Sequence, residues 1–94
     1  MKAKDWVARV AAIRCVLCEH CGVEQEGRTY VHHCRTGQGM SERASDAAAI
    51  ALCFEHHQGN SGVHKLGPGG LMQRYVLDEF RLLELTIEGV WKGL

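Results

Sequence analysis

Ala48-Ala49-Ile50-Ala51-Leu52-Cys53-Phe54-Glu55-His56-His57-Gln58-Gly59 is the stretch that decides the fold of this chain. Its first half, Ala48 to Cys53, is an apolar run of strand length, although its alanines leave a helix open as the alternative. From Phe54 to Gln58 the pattern changes to a short helical turn, which Gly59-Asn60-Ser61-Gly62 ends. A strand running straight into a helix carries Cys53-x2-His56 at the junction, with His57 directly behind. Cys-x2-His is half of a tetrahedral zinc site, so a second pair of soft ligands is expected elsewhere in the chain.

That pair stands upstream. Cys15-x2-Cys18 supplies two thiolates, and together with Cys53 and His56 it makes the donor set of a closed structural zinc site. Cys18-x2-Cys21 is an equally legal knuckle, and Gly22 behind it would favour the turn that such knuckles make. Spacing alone leaves both pairs open. Cys34 is the odd one out and reads as a small core residue.

The remaining histidines form a second group. Thr29-Tyr30-Val31-His32 has the β-branched and aromatic content of a strand, and it ends in the doublet His32-His33. Successive strand residues point to opposite faces, so only one of the two rings can face a given site. His32 is assigned to an ion shared with His57 and His64; His33 is left to accept the proton of a water that attacks phosphate. Because His57 follows His56, one helical turn would orient both metal sites, with the zinc as a rigid support. An ion with few protein ligands keeps positions for a phosphate oxygen and a leaving group, and imidazole donors suit zinc and other transition ions better than magnesium.

The flanks complete an α+β reading. Trp6, Val7, Val10 and Ala11 recur at helical spacing, which predicts an amphipathic helix from Lys2 to about Ile13. Cys15 to Gly27 has no clear period and reads as a metal-held knuckle plus a loop. Arg35-Thr36-Gly37-Gln38-Gly39-Met40-Ser41 suits a long hairpin connection between the two strands. Beyond Gly67-Pro68-Gly69-Gly70, a short helix is expected over Leu71 to Val76. A longer one follows over Asp78 to Trp91, with Asp78 as its cap. Phe80, Leu83, Ile87, Val90 and Trp91 share one face of that last helix; Leu82 and Leu85 fall outside it and read as extra core.

At 94 residues, 1–94 is expected to be one domain, with a core thin enough for a bound metal to contribute to folding. Five cysteines make an odd number, and Met1-Lys2-Ala3-Lys4-Asp5-Trp6 has charges where a secretory leader needs an apolar run. Disulfides are not expected, and a reducing cytoplasm is. No stretch approaches the roughly 20 apolar residues of a membrane span. A formal charge of zero argues against binding nucleic acid through a broad basic surface. Distribution restores that possibility: Arg28, Arg35, Arg43, Lys65 and Arg74 lie in the histidine-bearing middle, whereas Asp78, Glu79, Glu84 and Glu88 gather near the end.

The joint pattern resembles a known family. Val31-His32-His33, a glycine-containing loop, Ile50-Ala51-Leu52-Cys53-x2-His56-His57-Gln58-Gly59 and Gly62-Val63-His64 are similar to the HNH (His-Me finger) endonucleases. More narrowly, they resemble phage and prophage proteins related to the RecA-dependent recombination-enhancement nuclease. The likeness covers roughly Cys15 to Tyr75. It implies a small zinc-stabilised ββα-metal fold, here flanked by N- and C-terminal helices. It also implies a DNA endonuclease that hydrolyses phosphodiester bonds with a catalytic divalent ion (Mg2+, Mn2+ or Zn2+) beside the structural Zn2+. Residue by residue, His33 would be the general base, and His32, His57 and His64 the catalytic-metal side. Cys15, Cys18, Cys53 and His56 would hold the structural zinc. Arg35 and Lys65 would contact phosphate, Arg35 also steadying the cleaved strand. The partners implied are DNA and a RecA-like recombinase filament, in a bacterial host cell. Where many members carry an asparagine ahead of the second strand, this chain has Asp46-Ala47-Ala48-Ala49.

Two other classes compete with an enzyme. A non-catalytic zinc module that binds DNA or a recombination protein would use the histidines only as hydrogen-bonding groups. An interaction protein would dimerise through Leu82 and Leu85 on the C-terminal helix.

Overall fold

The computed structural model describes residues 1–34 and 45–93. The expected hairpin connection, with Arg35 and Arg43, lies outside the described residues. The chain is α+β: a two-stranded antiparallel sheet with helices packed around it. In order these are α1 (Ala3–Ala12), α2 (Val16–Cys21), β1 (Thr29–His33), a single 3₁₀ turn (Asp46–Ala48), β2 (Ala49–Cys53), α3 (Phe54–Gln58), α4 (Val63–Tyr75) and α5 (Glu79–Gly93).

β2 is the centre of the molecule. All five of its residues are buried, which is why the sequence there is apolar throughout instead of alternating. Antiparallel pairing sets Thr29 opposite Cys53, Val31 opposite Ala51, and His33 opposite Ala49. The alanines leave room for neighbouring elements to close on the strand, and α1, α2, α3 and α5 all do so. Leu17, Ile50, Leu52, Leu71, Leu82, Val10 and Val90 fill the core between them.

The free edge of a two-stranded sheet leaves backbone groups without a ladder partner. Thr86 on α5 answers one of them: its hydroxyl accepts from the Ala51 N–H at 3.2 Å and donates to the Leu82 carbonyl at 2.9 Å. Buried Thr86 is thus a polar dock for α5 on β2. The buried face of α5 is Glu79, Leu82, Thr86 and Val90. This corrects the expected face, since Phe80 and Trp91 are exposed, at 55% and 68%. Leu82 is fully buried, so it offers no surface for dimerisation. The cap at Asp78 is as read, its Oδ1 accepting from the Arg81 N–H at 2.9 Å.

Two more boundaries differ from the sequence reading. Residues 16–21 form a one-and-a-half-turn helix, closed by Gly22 at φ +68°. The break expected at Gly67 is present as a kink that divides α4 in two, but the helix after it already includes Pro68, Gly69 and Gly70 instead of starting at Leu71. Gly67 sits at φ +67°, and Pro68 follows in the first turn of the second half, where its missing N–H costs nothing. No helix among the described residues is long and apolar enough to cross a membrane.

Candidate metal centres

Cys15 and Cys18 come from the start of α2, Cys53 from the end of β2, and His56 from α3. The four are buried, and their ligand atoms lie within 4.8 Å of one another. Cys18 Sγ is 3.7 Å from Cys53 Sγ, and His56 Nδ1 is 3.5, 3.4 and 3.5 Å from the sulfurs of Cys15, Cys18 and Cys53. Sulfur at about 2.3 Å and nitrogen at about 2.0–2.1 Å from a tetrahedral zinc lie roughly 3.5–3.8 Å from each other. The donor set and its spacing therefore fit a metal such as zinc, held at the middle of the cluster. Cys21, the alternative ligand, is exposed and stands outside the group.

The electrostatics agree with the need for a cation. Burial pushes the Cys15 and Cys18 thiols up; at Cys18 the neighbouring sulfurs add to the rise, because packed thiolates repel, whereas at Cys15 backbone hydrogen bonds offset part of it. Burial first, and Arg74 after it, hold His56 below the ordinary imidazole range, keeping its lone pair available. Gln25 braces the knuckle: its Oε1 accepts from Cys15 N at 2.6 Å and its Nε2 donates to Thr29 Oγ1 at 2.9 Å. Thr29 in turn donates to the Ile13 carbonyl at 2.7 Å, so the cysteine–histidine cluster and the start of β1 are one braced unit.

A second cluster lies one residue further along α3. His32 from β1, His57 from α3 and His64 from the start of α4 bring their ligand atoms within 4.8 Å of one another. His57 Nε2 and His64 Nε2 are 3.0 Å apart, and the three ring centroids are 4.7–5.1 Å apart. Burial, then the charges of His32 and His64, lower the His57 pKa to about 4, so the ring is neutral at pH 7. Three converging imidazoles with two nitrogens in near contact suit one shared cation. Glu55 shapes the loop that makes this possible: its carboxylate accepts from the Ser61 N–H at 2.9 Å and hydroxyl at 2.7 Å, and those bonds lower its pKa. Tyr75 pins the same loop through Ser61 O at 2.7 Å.

The doublet splits as strand geometry requires. His32 is 3% exposed and faces inward, whereas His33 is half-buried and turns away, with Nε2 2.9 Å from Asp46 Oδ1. His32 Nε2 lies 2.6 Å from Oε2 of buried Glu79. Neither acidic partner was named as a site residue from the sequence. Asp46 opens the 3₁₀ turn just ahead of β2, and Glu79 falls in register with Leu82, Thr86 and Val90 on a face that proved to be the buried one.

A cavity of about 260 Å³ is lined by two of the imidazoles, His32 and His64, together with Glu79, Gly67, Pro68 and Leu71. A larger one of about 340 Å³, between α2 and α5, touches neither cluster. Lys65 follows His64 at the surface, its Nζ donating to Asn60 Oδ1 at 3.3 Å. Arg35 lies outside the described residues. No family model, curated protein or solved structure matches this chain.

Proposed function

We propose that the chain is a metal-dependent DNA endonuclease of the HNH (His-Me finger) type. One observation carries the reading: three imidazoles converge beside a cavity while the adjacent His33 is left outside the cluster. A purely structural role does not need that division of labour.

A divalent ion held by His32, His57 and His64 would supply Lewis-acid stabilisation of charge on the scissile phosphate and the departing 3′ oxygen. The chain's own groups do the rest. His33 takes the proton of the attacking water as the new P–O bond forms and the bond to the 3′ oxygen breaks, with solvent protonating the leaving group. Asp46 holds the His33 ring by Nε2, which leaves Nδ1 as the lone-pair nitrogen that receives the proton. Lys65 supplies positive charge for the phosphate backbone. The cysteine-rich cluster does no chemistry; it fixes α3, and with it His57, against β2. A recombinase filament as partner rests on the family resemblance alone.

Nicking of supercoiled plasmid with added Mg2+, Mn2+ or Zn2+ tests the assignment. His33→Ala is expected to lower cleavage at least about 100-fold, the scale of a lost general base, with unchanged circular dichroism. Equal cleavage by the variant removes the assigned base. The competing zinc module draws on the closed Cys15, Cys18, Cys53 and His56 set, which is all such a module requires. Metal counting separates the two: one tight zinc for the module, a second exchangeable ion for the nuclease.

A further inference from the structure

We propose that Glu79 is a positioning residue of the imidazole site, acting through His32; this rests on the reading that His32, His57 and His64 hold an ion. The starting point is a position that should be apolar. On the buried face of α5, Leu82, Thr86 and Val90 pack inward, and Glu79 is the first residue of the same stripe. A carboxylate there, 8% exposed, costs stability unless it is engaged.

Its engagement is directional. Glu79 Oε2 is 2.6 Å from His32 Nε2, a charge-assisted distance, and Oε1 is 3.9 Å from the Cys34 thiol, which donates to it. Glu79 stands outside the set of mutually close imidazole ligand atoms while touching one of its rings, and it lines the cavity beside them. A histidine that donates one ring N–H to a carboxylate is fixed in rotation and tautomer, and its other nitrogen becomes the more basic ligand. Glu79 is delivered by α5, whose first turn is set by the Asp78 cap and whose middle is docked on β2 by Thr86. The C-terminal helix, remote in sequence from the histidines, thereby reaches the ion through one side chain.

The test is a calorimetric titration of Co2+ or Mn2+ into protein already carrying zinc in its cysteine cluster, comparing wild type with Glu79→Gln, Glu79→Asp and Glu79→Ala. Affinity for the second ion is expected to fall about 10- to 100-fold in Glu79→Gln and Glu79→Ala. Glu79→Asp should recover part of it, and the bound zinc should stay at one equivalent throughout. The near-isosteric Glu79→Gln keeps the experiment informative if Glu79→Ala folds poorly. Second-ion affinity within twofold of wild type in both Glu79→Gln and Glu79→Ala overturns the proposal. A wild-type chain that takes up one ion only overturns it together with the metal reading. Loss of second-ion binding in the variants, with no DNA cleavage by wild type, leaves Glu79 assigned and removes the nuclease instead.

Discussion

At the scale of the residue, the buried polar side chains His32, His56, Glu79 and Thr86 each have a stated task. Thr86 is the simplest case, since its hydroxyl closes the Ala51 N–H on the sheet edge. Thr86→Val keeps the shape and leaves that donor buried without a partner, so urea unfolding should show a loss of about 1–3 kcal/mol, whereas Thr86→Ser should lose less. Titration gives a second residue-level expectation. His57 is held neutral in the fold down to about pH 4, while an unfolded histidine protonates near 6.5. The unfolded chain therefore binds more protons between those values, and the metal-free fold must lose stability as pH falls from 6.5 to 4. Glu55, with its pKa lowered by Ser61, adds a further loss below its ordinary value of 4.5. On the alkaline side, Cys15 and Cys18 are raised above 9.0, so the metal-free fold weakens as unfolded thiols ionise beyond that point. Denaturant midpoints of chelated protein across pH should trace a maximum between these limits; a flat profile from 6.5 to 4 would contradict the His57 environment.

At the scale of the element, the unit β2–α3 and the turn after it hold both clusters, because Cys53, His56 and His57 fall within five consecutive positions. Gly62 ends that unit under tight constraint: a Cβ there would lie 2.7 Å from Glu55 O and 2.9 Å from the His57 backbone. Gly62→Ala should therefore push α4, and His64 with it, off α3. The expected result is weakened binding of the second ion with the cysteine cluster still loaded, which metal analysis alongside calorimetry would show. Legibility also divides by element. The strand-to-helix change at Cys53 was readable because an apolar run, a Cys-x2-His spacing and a glycine stop all agreed. The face of α5 was not, because its inward positions include Glu79 and Thr86 while Phe80 and Trp91 face solvent, so hydrophobicity pointed the wrong way. α2 is too short, and too dependent on Cys15 accepting from Cys18 N at 3.4 Å, to leave a periodic trace. At the site, the histidines were legible by spacing, whereas Asp46 and Glu79 came into view only with the pairing of strands and the docking of α5.

At the scale of the whole molecule, few buried side chains surround β2, and four of the buried residues are the cysteines and histidine of one cluster. Without a cation, that cluster is a set of thiols raised by burial around a desolvated imidazole. Removing metal with a strong chelator should therefore lower the thermal midpoint by well over 10 °C, as should Cys18→Ser; restoring Zn2+ should bring the midpoint of the chelated protein back. A midpoint unmoved by chelation would place the stability elsewhere.

His56 and His57 are neighbours on a helix of five residues, yet they look into different clusters. An ion captured on one side would freeze the short helix for the other, and the two binding equilibria would then be thermodynamically linked. Whatever factor zinc contributes to the affinity of the imidazoles, an ion among the imidazoles must return to the zinc. Slower zinc exchange in the doubly loaded chain is the kinetic trace that such reciprocity would leave.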